Sequence, residues 1–223
     1  MKKLLITGAN GFIGKNLLFA LQDYKCLLFD KEYSYEYLDT VLKDVDFIFH
    51  LASGIKEGYT TDLTEHILCK LDEYGHYPPI VFTSSVLALG DTDHGRYKRR
   101  EEKLLEYYKG HVYLYRLPNV FGRWARPEYN SAVATFMFNT LYGLPLKIND
   151  PIKEVQLVDI EDVVYEFKLL FWGRIDRPSK EYLSVNPVYL STVGELAEII
   201  STFEDTTYYG DELAGKLYNA YIS

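Results

Sequence analysis

Apolar and polar positions along this chain follow a rhythm of short apolar runs and longer periodic stretches. Leu4 to Ile6 form an apolar run that breaks into Gly8, Gly11 and Gly14, after which apolar positions resume with helical spacing. This predicts a strand, a tight turn and a helix over about 14 to 23. Residues 25 to 30 predict a second strand, 34 to 43 a short helix, and the unbroken run from Phe47 to Leu51 a buried parallel strand. A helix over 62 to 74, a strand over 80 to 85, a charged helix over 95 to 109 and a strand over 112 to 117 continue the series. Gly54, Gly58, Pro78 and Pro79 punctuate the loops between them. Strict alternation of strand and helix predicts an α/β fold, a Rossmann-type doubly wound parallel sheet with right-handed crossovers. From Pro118 the rhythm changes to a long loop, then a helix over 131 to 142, short strands near 145 to 148 and 153 to 158, and a helix over 160 to 172. A last strand (182 to 186) and helix (192 to 203) complete a small C-terminal lobe, residues 119–223, interleaved with a core of residues 1–118.

The glycines carry the first candidate chemistry. Gly8 permits the turn, Gly11 lets a pyrophosphate approach the backbone, and Gly14 lets the helix pack close to the strand. The helix start presents N–H groups and the positive end of its dipole to phosphate oxygens. Asp30 closes the next apolar run at the separation where an acidic side chain meets an adenosine ribose. The core therefore reads as a dinucleotide-binding unit centred on Gly8, Asn10, Gly11, Phe12, Ile13, Gly14 and Asp30. An ordinary glycine turn of an α/β protein is the plainer alternative. Asp30 favours NAD, whereas Lys31 suits the 2′-phosphate of NADP, so both remain open. Ligands of such sheets sit at the carboxyl ends of the strands, where Gly8, Asp30, Ala52, Ser85 and Pro118 all fall.

Composition narrows the partners. A formal net charge of -8 speaks against broad nucleic-acid binding, so an anionic ligand must be held locally. Cys26 and Cys69 lie far apart without metal-ligand spacing, which predicts reduced, buried thiols in a cytoplasmic protein. The apolar run after Lys3 ends at Thr7, so neither a secretory leader nor a membrane span is expected there or later. His50 and His66 read as structural, and with His76 and His111 they form no metal-ligand set.

Taken together, TGANGFIG at 7–14, HLAS at 50–53, TSS at 83–85, RLPNVFG at 116–122 and LVDIEDVV at 157–164 recur in one order across nearly the whole chain. In these the chain resembles the extended short-chain dehydrogenase/reductase family, the NAD-dependent epimerase/dehydratase group acting on nucleotide sugars. The stretch PNVFGRWARPEYNSAVATF at 118–136 looks most like the reductase domain of bifunctional capsular-polysaccharide enzymes. Those enzymes reduce a 4-keto UDP-N-acetyl sugar and carry a C-terminal cupin domain, and this chain stops at about the point where the cupin would begin. The resemblance implies NAD(P)-dependent hydride transfer at a sugar carbon in surface-polysaccharide synthesis. It also implies a nucleotide-sugar substrate, no nucleic-acid or membrane partner, and a homodimer for which the 95 to 109 helix is the candidate contact. Leu51, Ala52, Ser53 and Leu117 join the cofactor site on the same ground.

Family chemistry uses a Ser, a Tyr and a Lys. Ser85 matches the serine that hydrogen-bonds the substrate oxygen, Lys98 the lysine that binds the nicotinamide ribose, and Asn119 the substrate-loop asparagine. In the usual Tyr-x-x-x-Lys pattern the two residues share a helix face. Here DHGRYK at 93–98 puts His94 at the tyrosine position, while Tyr97 stands next to Lys98, about 100° round the helix. A histidine can relay a proton, but the Lys98 charge disfavours its protonated form. Three readings stay open: His94 is the acid; the chain binds cofactor and substrate with weak or no turnover, as a regulatory or scaffold protein; or the register against the Tyr-x-x-x-Lys pattern is a different one, or another tyrosine supplies the acid. Plainer roles also exist, with Ser85 satisfying a strand end, Asp93 capping a helix, His94 solvated in its first turn, Lys98 on an outer face and Asn119 in a turn. Arg116, Arg123 and Arg126 cluster around the loop after Pro118, and guanidinium forks suit a diphosphate. Trp124 or Tyr129 suits stacking on a base, with packing beneath that loop the plainer expectation, and Asp159 and Asp162 are expected to cap a helix and fix its loop.

Overall fold

The structure, a computed structural model, describes residues 2–52, 60–129, 131–203 and 211–223. In chain order the elements are β1 (Leu4–Thr7), α1 (Phe12–Ala20), β2 (Cys26–Phe29), α2 (Tyr35–Leu42), β3 (Phe47–His50), α3 (Thr60–Tyr74) and β4 (Ile80–Ser85). A 3-10 turn (Val86–Leu89) leads to α4 (Asp93–Glu106), β5 (Val112–Leu117), β6 (Asn119–Phe121), α5 (Ala132–Leu141) and β7 (Glu154–Asp159). The chain continues with α6 (Ile160–Phe171), β8 (Tyr182–Leu183), β9 (Tyr189–Thr192), α7 (Val193–Ser201) and α8 (Glu212–Tyr221).

The first compact unit comprises residues 1–117 and 164–184. Its six strands run parallel in the order β2-β1-β3-β4-β5-β8. Leu4, Leu5 and Ile6 are all fully buried because helices cover both faces of the sheet, which is why these strands read as unbroken apolar runs rather than alternating ones. On one face Leu5, Ile48, Ile80, Phe82 and Leu114 pack with Leu38 and Leu42 of α2, Ile67 and Leu71 of α3 and Leu105 of α4. On the other, Phe167 of α6 lies 6.0 Å from the Phe49 ring and 5.2 Å from the Tyr115 ring. This is the doubly wound Rossmann-type fold. The chain leaves β1 in one direction to β2 and returns across it to β3, so the strand order reverses at β1, where such sheets bind ligands.

The second unit comprises residues 118–163 and 185–223. Its three-stranded sheet has β7 in the centre, parallel to β6 and antiparallel to β9. Phe121, Phe136, Leu157, Leu196, Ile200 and Leu217 form its core.

Several expectations are corrected. Helix α1 begins at Phe12, so Gly14 lies inside its first turn. Residues 145–148 form no strand: Ile148 is exposed, and Pro145 has no N–H to give to a ladder. The stretch after Pro118 is not loop throughout, because β6 pairs with β7. The strand expected over 182 to 186 stops at Leu183, and β9 enters before α7. Beyond the last expected helix, α8 is capped by the Asp211 side chain accepting from Ala214 N, and it buries Leu213, Ala214 and Leu217. Of the thiols expected to be buried, Cys26 is half-buried and Cys69 exposed, on the side of α3 away from buried Ile67 and Leu71. Among the described residues no helix is long and apolar enough to cross a membrane.

Candidate functional site

The glycine turn is built by contacts that tolerate no side chain. Gly8 takes a φ of +69°, and a Cβ there would come 2.7 Å from Ala52 N, so the β1 turn presses against the end of β3. A Cβ on Gly14 would lie 2.2 Å from Gly8 O, which brings α1 directly onto the turn. Gly8 O accepts from Gly11 N at 2.9 Å, and Gly11, at the start of α1, places no side chain over the helix's first N–H groups. Asp30 at the end of β2 accepts from Asn10 N through Oδ2 and from Lys31 N through Oδ1, both at 2.9 Å. Asn10 Nδ2 donates to Glu32 Oε1 at 2.6 Å, a second carboxylate beside the first. An open helix start, a Cβ-free approach and a carboxylate at the neighbouring strand end fit a dinucleotide's pyrophosphate and adenosine ribose. Phe12, Ile13, Leu51 and Ala52 are half-buried around this turn, Lys31 is exposed and Leu117 is buried at the end of β5. Ser53 lies outside the described residues.

Behind the turn runs a buried polar chain. Ala52 N donates to Thr7 Oγ1 at 3.1 Å, and Thr7 Oγ1 meets His50 Nδ1 at 2.7 Å. His50 Nε2 meets Thr64 Oγ1 at 2.8 Å, and that hydroxyl donates to Glu101 Oε1 at 2.9 Å. Since the Thr64 proton goes to Glu101, the Nε2 proton of His50 goes to Thr64, and Nδ1 is left to accept from Thr7. Burial, with the Lys98 charge adding to it, drags the His50 pKa down to about 3, so its ring is neutral. The chain ends at Lys98, whose Nζ lies 3.7 Å from Glu101 Oε2, donates to Thr83 O at 2.6 Å and sits 4.9 Å over the Phe82 ring. Lys98 is only 5% exposed, and burial, opposed by Glu101 and Glu102, lowers its pKa to about 8. Its expected plainer place on an outer face is thereby corrected.

Ser85 and His94 stand at successive helix starts. Ser85 Oγ accepts from Leu87 N at 3.2 Å and opens the 3-10 turn, a role that leaves its hydroxyl proton to donate. Thr92, not Asp93, caps α4 by accepting from Gly95 N at 3.0 Å, while Asp93 pairs with Arg96. His94 follows in the first turn, half-buried, its pKa lowered by burial first and by Lys98 second. The Tyr97 hydroxyl is buried inside the unit.

Arg116 is not available to a diphosphate. Its guanidinium binds Glu102 through Nε (3.0 Å) and Nη2 (2.7 Å) and lies 3.4 Å from the centre of the Tyr182 ring. Ser84 Oγ donates to the same carboxylate. In the second unit Asn119 Nδ2 donates to Gln156 O at 3.0 Å, the Arg123 guanidinium lies 4.3 Å from the Trp124 ring centre, and Arg126 is exposed. Trp124 and Tyr129 are 44% and 62% exposed, so they do not pack beneath the loop. Asp159 Oδ1 accepts from Glu161 N at the start of α6, and Asp162 binds Lys216. None of Thr7, Thr64, Glu101 and Glu102 was a candidate site residue from the sequence. The one signal for them was the Glu101-Glu102 pair, three and four residues after Lys98 and thus on its helix face.

No family model matches the chain. Over 99% of its length it is 38% identical to the UDP-2-acetamido-2,6-β-L-arabino-hexul-4-ose reductase of Pseudomonas aeruginosa, of which it covers 64%. The solved capsular polysaccharide assembling protein CapF of Staphylococcus aureus superposes with a TM-score of 0.86 at 29% identity, over 99% of this chain and 65% of that protein. This chain therefore spans less than two thirds of the length of either protein. A UDP-glucuronic acid 4-epimerase of Bacillus cereus, solved with UDP-glucuronic acid and NAD, shares the fold at a TM-score of 0.79 and 14% identity.

Proposed function

We propose that this chain is a member of the extended short-chain dehydrogenase/reductase family and a cytoplasmic NAD(P)-dependent reductase acting at a keto carbon of a nucleotide sugar. The substrate class we assign is a 4-keto UDP-amino sugar, the class named for the 38%-identical reductase. The observation that carries the reading is a charged lysine sunk to 5% exposure at the end of β4, on the helix whose first turn holds His94 and just beyond Ser85. A nicotinamide dinucleotide held at the Gly8–Gly14 turn, with Asp30 on its adenosine ribose, would supply the hydride. Ser85 donates a hydrogen bond to the substrate oxygen, keeping its proton, and polarises the carbonyl. His94, as imidazolium, releases one proton to that oxygen as the carbon is reduced, and the neutral imidazole is reloaded from solvent, to which it is half open. Lys98 orients the nicotinamide ribose.

The rival reading, a dinucleotide-binding protein with little turnover, is favoured by one observation: burial and Lys98 both push His94 toward its neutral form. NADH and NADPH oxidation with a panel of 4-keto UDP-sugars separates the two. Turnover by the unmodified chain, lost about 100-fold or more in His94→Gln, is expected for a working acid. Cofactor binding without turnover, with activity appearing only in His94→Tyr, would overturn the enzyme reading.

A further inference from the structure

We propose that Glu101 is the counter-charge that lets His94 hold a proton beside Lys98, and so acts as a positioning residue for the acid. The inference rests on His94 as the proton donor. An imidazolium gains its charge on protonation, so a bare ammonium on the same helix face works against it. His94, Lys98 and Glu101 are spaced by four and three residues, which stacks them along one side of α4. The Glu101 carboxylate is 0% exposed, lies 3.7 Å from the Lys98 ammonium and is fixed there by the Thr64 hydroxyl at 2.9 Å. A carboxylate so buried acts with little screening, and it turns the Lys98 site from a net positive charge into a nearly neutral dipole.

Among the described residues, the other charged groups that α4 and its neighbours bring to His94 and Lys98 are paired or neutral. On α4, Arg96 pairs with Asp93 and with Asp91 of the preceding loop, and Glu102 pairs with Arg116 of β5. From β3 comes His50, neutral. Strand β4 brings no titratable side chain (Ile80–Ser85), and the facing residue of α3 is Thr64. Glu101 is thus the group whose loss changes the balance most.

The test is the titration of the His94 ring by NMR in the cofactor-free protein, with the resonance assigned from His94→Gln. Glu101→Gln keeps the shape and an oxygen for Thr64 to donate to while removing the charge. It is expected to weaken proton binding at His94 about fivefold. In the double variant Lys98→Met, Glu101→Gln, which removes both charges, His94 binds its proton at least as tightly as in the unmodified chain, because Lys98 is the nearer of the two charges. An unmoved titration in Glu101→Gln, or proton binding still weakened in the double variant, would overturn the proposal. If Glu101→Gln does not fold, Lys98→Met alone still decides: His94 must bind its proton more tightly there, and no change would refute the coupling. Because this readout needs no substrate, a displaced titration without turnover on any 4-keto sugar would leave the charge balance standing and remove the enzyme reading alone.

Discussion

Acid should destabilise the first unit through one residue, His50. Its ring is 1% exposed, wedged between Thr7 and Thr64, and it stays neutral down to about pH 3, against an ordinary value of 6.5. The cause is chiefly burial, with the Lys98 charge second. Geometry adds its own penalty. Protonation would place a hydrogen on Nδ1 facing the Thr7 hydroxyl, which now donates to that nitrogen and accepts from Ala52 N. Because the folded-state value lies below the unfolded one, the unfolded chain binds the proton first. Stability is therefore complete above 6.5 and falls as the pH drops from there toward 3. Each pH unit across that gap is worth about 1.4 kcal/mol, so the loss is about 2 kcal/mol between pH 7 and pH 5 and about 5 kcal/mol once the folded chain also protonates.

The assay is urea unfolding at pH 7 and at pH 5 for the unmodified chain and for His50→Gln. The variant starts less stable, since one of the two ring contacts is lost, but it carries no titrating group at this position. The unmodified chain should lose about 2 kcal/mol more than the variant over that interval. Equal losses would refute the reasoning, because they would mean that His50 accepts a proton in the folded state without cost.

Two further predictions test the turn and the ion pair. Gly14→Ala, whose Cβ would meet Gly8 O at 2.2 Å, should cost about 1–3 kcal/mol in stability and weaken dinucleotide binding at least about tenfold by calorimetry. Gly215→Ala on α8, where a Cβ meets nothing within 4 Å, is its control and should be neutral or stabilising; equal effects of the two would show that the close approach is unimportant. Glu102→Gln leaves the largely buried Arg116 guanidinium without its carboxylate and should destabilise by about 3–5 kcal/mol in urea unfolding, whereas a change under about 1 kcal/mol would mean that solvent reaches the pair.

The turn was legible because glycine spacing records a steric fact: Gly8 and Gly14 stand where a Cβ has no room. The central strands were legible because burial on both faces keeps them apolar up to their carboxyl ends, where Thr7, His50, Thr83 and Ser84 stand. Helix α8 was missed although its apolar residues repeat at helical spacing, Leu213, Ala214 and Leu217, because Gly215 and the polar residues around it weaken the signal. Strand β6 was missed for another reason. Three residues beside a proline have no periodicity of their own, and only the β7 partner, more than thirty residues on, makes them a strand.

The polar face of α4 shows why little of the site's wiring could be read beyond the Glu101-Glu102 pair. Periodicity assigns charged residues to solvent, yet Lys98, Glu101 and Glu102 all point inward, at 5%, 0% and 1% exposure. Partners far off in sequence decide this: Thr83 O and Phe82 for Lys98, Thr64 for Glu101, Ser84 and Arg116 for Glu102. Burying three charges on one helix is a poor way to stabilise a fold, since well-packed apolar side chains of similar volume often do as well or better. What an apolar face could not do is hold an ammonium at the end of β4 and set a carboxylate beside it. The arrangement joins the Ala52 amide at the glycine turn to Lys98, on the helix whose first turn holds His94, through Thr7, His50, Thr64 and Glu101. Its cost in folding therefore argues for chemistry at that helix, and the predicted loss of stability in acid is the same cost seen from the His50 side.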